Sequence, residues 1–184
     1  RGDIMSKFRV PEQKEMEMVQ HAFAELETVD TLLHMPPKSE ADRITASDLH
    51  DYACGDVSVA KRTKSALMRF PAMRGILKDM VAKASDYQMP EAIAASTDEF
   101  PQRRTEGCKV RMEASRAEAD HHYLIIELDE GRKIPSVLTL CDVEGKFEQL
   151  ALPPPRRGVI QVTVTNNSGI PDMLRNPKTA IYLR

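Results

Sequence analysis

Apolar side chains change their spacing along this chain. Up to about residue 85 they return every three or four positions; beyond about residue 107 they alternate. The first half therefore predicts helices and the second predicts strands. Residues 10–35 read as one long amphipathic helix. Pro11 suits its first turn, and Glu12 and Glu15 complement the positive end of the dipole. Met16, Val19, Phe23, Leu26, Val29 and Leu33 form its apolar stripe, and Pro36 and Pro37 stop it. A second, short helix over 48–54 is expected to be capped by Thr45 or Ser47 and to end at Gly55. A third, opened by Ser58, runs to about Phe70 with Val59, Ala66, Leu67 and Phe70 near one face. Pro71 then opens a fourth, which buries Ile76, Leu77, Met80 and Val81 and fades by Ser85.

Residues 86–106 carry Pro90, Pro101, Ser96, Thr97 and the Arg103–Arg104 pair, and read as a linker. Short β-forming runs come next, at 109–114, 122–128, 137–141, 147–152, 159–164 and 180–183. Turn signals at Glu130-Gly131, Glu144-Gly145, 153–158 and 166–171 separate them, and 173–176 reads as a single helical turn. The expected fold class is α+β: a bundle of about four helices over residues 8–85, the linker over 86–106, and an antiparallel β-sandwich or small barrel over 107–184.

Composition narrows the function classes. A formal net charge of -2 offers no global field for nucleic acid. No apolar run approaches the ~20 residues of a membrane helix, and residues 1–10 have no apolar core of the signal-peptide kind. The three cysteines, Cys54, Cys108 and Cys141, are odd in number and far apart, which fits a reducing compartment and a cytoplasmic protein.

Candidate chemistry is sparse. His50 and Cys54, at i and i+4, could face one point as half of a zinc site, but no second pair is evident, so no metal and no cofactor are expected. His121 and His122 are adjacent on a strand and point to opposite faces. Phosphate loops and nucleophile elbows are absent, so an enzyme, through His121, His122 or Cys141, ranks last. Lys61, Arg62, Lys64, Arg69, Arg74 and Lys78 make the third and fourth helices locally basic. That is either a solvated face or a surface for an acidic partner.

Leu49-His50-Asp51-Tyr52, then Gly55, then a helix ending in Leu67 and followed by Pro71 and Arg74, resembles the N-terminal domain of zinc-type anti-sigma factors. The resemblance covers about residues 41–84. On it, the family's ligand histidine falls on Ala66 and its two cysteines on Phe70 and Met73, all apolar here, and Cys54 stands where an Asp is usual. The resemblance thus implies a zinc-free domain in which apolar packing replaces the metal staple. Burying Phe70 would then contribute on the order of 2–3 kcal/mol. It also implies a regulator that binds and sequesters a sigma factor, without direct contact to nucleic acid or membrane, while the β domain senses or scaffolds. The partner-binding residues expected are Met16, Val19, Phe23, Leu26, Leu49 and Tyr52, since an amphipathic stripe can lie in a partner's groove. The other reading is a non-enzymatic ligand-binding or assembly module built on the β-sandwich, with the helices making a homodimer.

Overall fold

The computed structural model describes residues 44–89, 100–116 and 118–184. The long helix expected over 10–35, with Met16, Val19, Phe23 and Leu26, lies outside the described residues.

Helix α1 is Ala46–Ala53. Thr45 accepts the Asp48 N–H on its hydroxyl at 3.2 Å, and the Asp48 carboxylate takes the Thr45 N–H at 2.7 Å, so two orphan amides of the first turn are satisfied reciprocally. Gly55 terminates the helix at φ +90, where a Cβ would also meet Val137 Cγ2 at 2.8 Å; only glycine suits both demands. Asp56, rather than the expected Ser58, caps the next segment: its carboxylate accepts the Ser58 N–H at 2.8 Å over one 3-10 turn, Val57–Val59. Helix α2, Ala60–Arg69, continues directly from that turn. Pro71 lies in the turn before α3, Met73–Ala84, not in its first turn.

Eight strands complete the described chain: β1 Tyr87–Met89, β2 Arg103–Thr105, β3 Cys108–Ala114, β4 His121–Leu128, β5 Val137–Cys141, β6 Phe147–Ala151, β7 Val159–Thr165 and β8 Ala180–Leu183. A short helix α4, Ile170–Arg175, precedes β8. All pairings are antiparallel, in two four-stranded sheets ordered β1-β8-β5-β6 and β2-β3-β4-β7. The fold is α+β, as expected. Two of these strands, β1 and β2, fall in the span expected to be a linker. At three residues each they carry too little alternation to read alone, and they become strands through pairing with β8 and β3.

Both sheets back onto one core. Met89, Leu138, Leu140, Ile181 and Leu183 of the first meet Val110, Met112, Leu124, Ile126 and Ile160 of the second, and α4 adds Ile170, Met173 and Leu174. A four-helix bundle is not shown among the described residues; the three helices described there are laid on the outer face of the first sheet. Tyr52 meets Phe147 edge-on at 6.3 Å, Gln149 Nε2 donates to the Tyr52 carbonyl at 2.7 Å, and Gly55 abuts Val137. The first sheet is thus buried on both faces. Its inner strands are accordingly apolar in nearly every position, Val-Leu-Thr-Leu-Cys in β5 and Ala-Ile-Tyr-Leu in β8, whereas β7, solvated on one face, alternates. No helix among the described residues is long and apolar enough to cross a membrane.

Candidate functional site

The corner where α2 turns into α3 overhangs the β5–β6 hairpin and leaves a groove of about 240 Å³. Leu67 and Phe147 supply its apolar part. Lys64, Arg74, Glu144, Lys146 and Glu148 surround them, and Met68 stands 76% exposed at its side. Arg74 builds the corner. Its Nε donates to the Leu67 carbonyl at 3.1 Å, closing the α2–α3 turn, and its Nη1 donates to the Glu144 carbonyl at 2.8 Å, fixing the hairpin. Gly145, at φ +74, admits the Arg74 stem; a Cβ there would lie 2.8 Å from Arg74 Cδ. Lys64 pairs with Glu148, and Lys146 reaches the same carboxylate at 3.9 Å. An apolar floor with fixed charges of both signs suits an anchoring side chain from another protein. Among the described residues the lining holds no histidine, cysteine or serine.

Of the residues expected at a partner surface, Leu49 and Tyr52 are among the described ones. Leu49 is 4% exposed and Tyr52 0%. Both face the interior, because α1 turns that side toward α3 and the sheet rather than to solvent. Burial, reinforced by the nearby Glu148 carboxylate, raises the Tyr52 phenol well above its ordinary value, and its oxygen has no hydrogen-bond partner among the described residues. At the positions matching the family's zinc ligands, Ala66 and Met73 are buried and Phe70 is half-buried at the α2 C-cap. Phe70 is therefore not the fully buried side chain that the resemblance implied, whereas Ala66 and Met73 are buried.

The basic helices are largely answered from within. Arg62 pairs with Asp48, Lys64 with Glu148, and Arg74 with two carbonyls. Burial pushes the Asp48 carboxyl up, but the Thr45 hydrogen bonds and the Arg62 guanidinium outweigh it and leave it below its ordinary value. His50 Nε2 lies 3.5 Å from Cys54 Sγ, as the i, i+4 spacing predicts, yet no third His, Cys, Asp or Glu among the described residues completes a metal-holding group. His121 Nδ1 pairs with Glu118 at 2.6 Å, while His122 is buried with its ring 5.1 Å from that of Phe100. The two histidines do not converge on one point.

All three cysteines are free thiols. Burial pushes Cys108 up to about 12 and Cys141 up to about 11, whereas Cys54 is partly open. Thiolate, not thiol, is the reactive form. Labelling of the folded chain at pH 8 is therefore expected to modify Cys54 rapidly and the other two only after denaturation; rapid labelling of Cys108 or Cys141 would contradict the packing of β3 and β5.

The groove was not legible in the sequence. Met68 lies off the apolar stripe of α2, and Phe147 and Glu148 reach the helices only through the sheet. The spacing of Leu67, Pro71 and Arg74 was the one signal that touched it. No family model, no curated protein and no solved structure matches the chain.

Proposed function

We propose that this chain is a non-enzymatic, cytoplasmic regulator that sequesters a sigma factor, with the β half as the scaffold on which its helical segment is built. One observation carries the reading. Leu67 and Arg74, two fixed points of the anti-sigma-like frame, are joined by a hydrogen bond and together line the groove at the α2–α3 corner. The frame thus coincides with a surface that can accept a partner's side chain. The activity needs no catalytic group, metal, cofactor or direct contact with nucleic acid.

Sigma factors from the source genome, titrated against the full chain, provide the test. Binding is expected at micromolar concentration or tighter, and Met68→Asp should weaken it by about tenfold or more, because hot spots centre on apolar anchors. Met68 is exposed, so circular dichroism should be unchanged. If no sigma factor binds the folded chain, the regulator reading falls.

A second reading, an assembly module on the β scaffold, is favoured by a different observation. Leu49 and Tyr52 are occupied inside the molecule, and α1 to α3 cover the first sheet rather than standing apart from it. Binding of a non-sigma protein that is lost with Met68→Asp would support that alternative.

A further inference from the structure

Strand β7 is an edge, and its backbone shows which of its groups are open. Leu128 N–H donates to the Gly158 carbonyl at 2.8 Å, and the register continues as Ile126 with Ile160, Leu124 with Val162 and His122 with Val164. Antiparallel alternation then aims the amides and carbonyls of Ile160, Val162 and Val164 at β4, and those of Val159, Gln161, Thr163 and Thr165 at the free edge. Val159 is already satisfied. It exchanges both backbone bonds with Arg156, at 2.8 and 3.1 Å, across a two-residue turn in which Arg157 and Gly158 have φ of 53 and 79. The Thr165 carbonyl accepts the Ser168 hydroxyl at 2.7 Å. Gln161 and Thr163 remain, each with an outward N–H and C=O, and each with an exposed side chain. Among the described residues β7 pairs with β4 alone.

The other margins of the sheets differ. The edge strand β6 carries a charge, Glu148, which pairs with Lys64. The edges β1 and β2 lie against each other. Natural edge strands are commonly protected by charge or proline, yet β7, Val-Ile-Gln-Val-Thr-Val-Thr, contains neither.

The geometry points to a second copy of this chain as the occupant of that edge. With a two-fold axis at Val162, Gln161 stands opposite Thr163 of the other copy, and Thr163 opposite its Gln161. In this antiparallel register all the free amides and carbonyls of both residues bond to one another. Polar side chains meet polar ones on the solvated face. Val162, partly buried on the core face, meets its own symmetry mate at a non-hydrogen-bonded position, where side chains approach most closely. Shifting the register by two residues toward the turn would set Thr163 against Val159, whose groups Arg156 holds, and shifting it the other way would set Gln161 against Thr165, whose carbonyl already accepts the Ser168 hydroxyl, so the centred register is the one in which both residues face unoccupied groups. Arg156 also confines the ladder to residues 160–164, and a ladder this short gives a weak, concentration-dependent dimer.

Sedimentation velocity of the full chain over the micromolar range, with hydrogen exchange at the same concentrations, tests this. A monomer–dimer equilibrium is expected, and the Gln161 and Thr163 amides should gain protection as concentration rises. The Ile160, Val162 and Val164 amides should be protected throughout. The double variant Gln161→Lys with Thr163→Lys sets like charges directly opposite across the axis and should raise the dimer Kd about tenfold or more. The variant Gln161→Lys with Thr163→Glu sets opposite charges there and should restore the dimer. Both substituted positions lie on the exposed face, so far-ultraviolet circular dichroism should match the parent. A chain that stays monomeric, a dimer indifferent to the double lysine variant, or protection of Gln161 and Thr163 that is independent of concentration and so reports an extended segment other than a second copy, would each overturn the proposal.

Discussion

Replacing Tyr52 by alanine is expected to remove roughly 3–5 kcal/mol of folding stability, the range for truncating a large buried aromatic. Tyr52 is wholly enclosed and meets Phe147 edge-on, so it joins α1 to the first sheet. Truncation would leave a void between layers that cannot collapse without moving the helix. Tyr52→Phe is expected to lie within about 1 kcal/mol of the parent, or above it, because the phenolic oxygen is buried without a partner and its removal strands no other group. Urea unfolding of the two variants separates packing from polarity. An alanine variant within about 1 kcal/mol of the parent would mean that α1 does not rest on the sheet. The same pair of variants bears on function. If Tyr52 contacted a sigma factor directly, Tyr52→Phe would weaken binding without affecting folding; buried as it is, it should leave both unchanged.

Arg103→Ala is expected to cost about 3–5 kcal/mol, in the range for breaking a buried charged network. This arginine is buried on β2, and its guanidinium donates to the Pro177 carbonyl at 2.5 Å and to the Thr179 carbonyl. It therefore ties the second sheet to the segment leading into β8 of the first. Removing it leaves two inward carbonyls without these donors, and hydrogen bonds from a charged donor contribute about 1.5–3 kcal/mol each. Arg103→Lys should recover only part of the loss, since an ammonium cannot reproduce the planar fork. Thermal unfolding would measure both, with hydrogen exchange at Ala180 showing whether the start of β8 loosens first. A lysine variant as stable as the parent would show that charge alone, not bidentate geometry, holds this joint.

Much of the fold was legible because its signals are local. Thr45 with Asp48 three positions later specifies a helix start from a hydroxyl and a carboxylate within one turn. Gly55 marks the helix end because φ +90 is open to glycine and strained for other residues. The strands β5 and β8 were found to the residue, since a β-branched or apolar run between turn signals has few alternatives. Arg103 illustrates the limit. Beside Arg104, in a stretch rich in proline and polar residues, it reads as a solvated linker charge. Nothing nearby in sequence reveals the carbonyls at Pro177 and Thr179 that receive it.

The sequence by itself determined the change from helical to strand periodicity, the end of the first described helix at Gly55, the positions of six strands and the separation of His121 from His122 onto opposite faces. Each of these arises from interactions within a few residues or from the fixed periods of helix and strand. Tertiary structure alone decided that the helices lie on the first sheet, that Leu49 and Tyr52 are interior, that β1 and β2 are strands, and that α2, α3 and the β5–β6 hairpin together form a groove. Those outcomes depend on which apolar surfaces meet. An amphipathic stripe shows that one face will be buried without naming what buries it. The near-continuous apolar character of Val137–Cys141 and Ala180–Leu183 was the trace of that choice in the sequence: strands covered on both sides need apolar residues on both, and among the described residues the helices cover the second side.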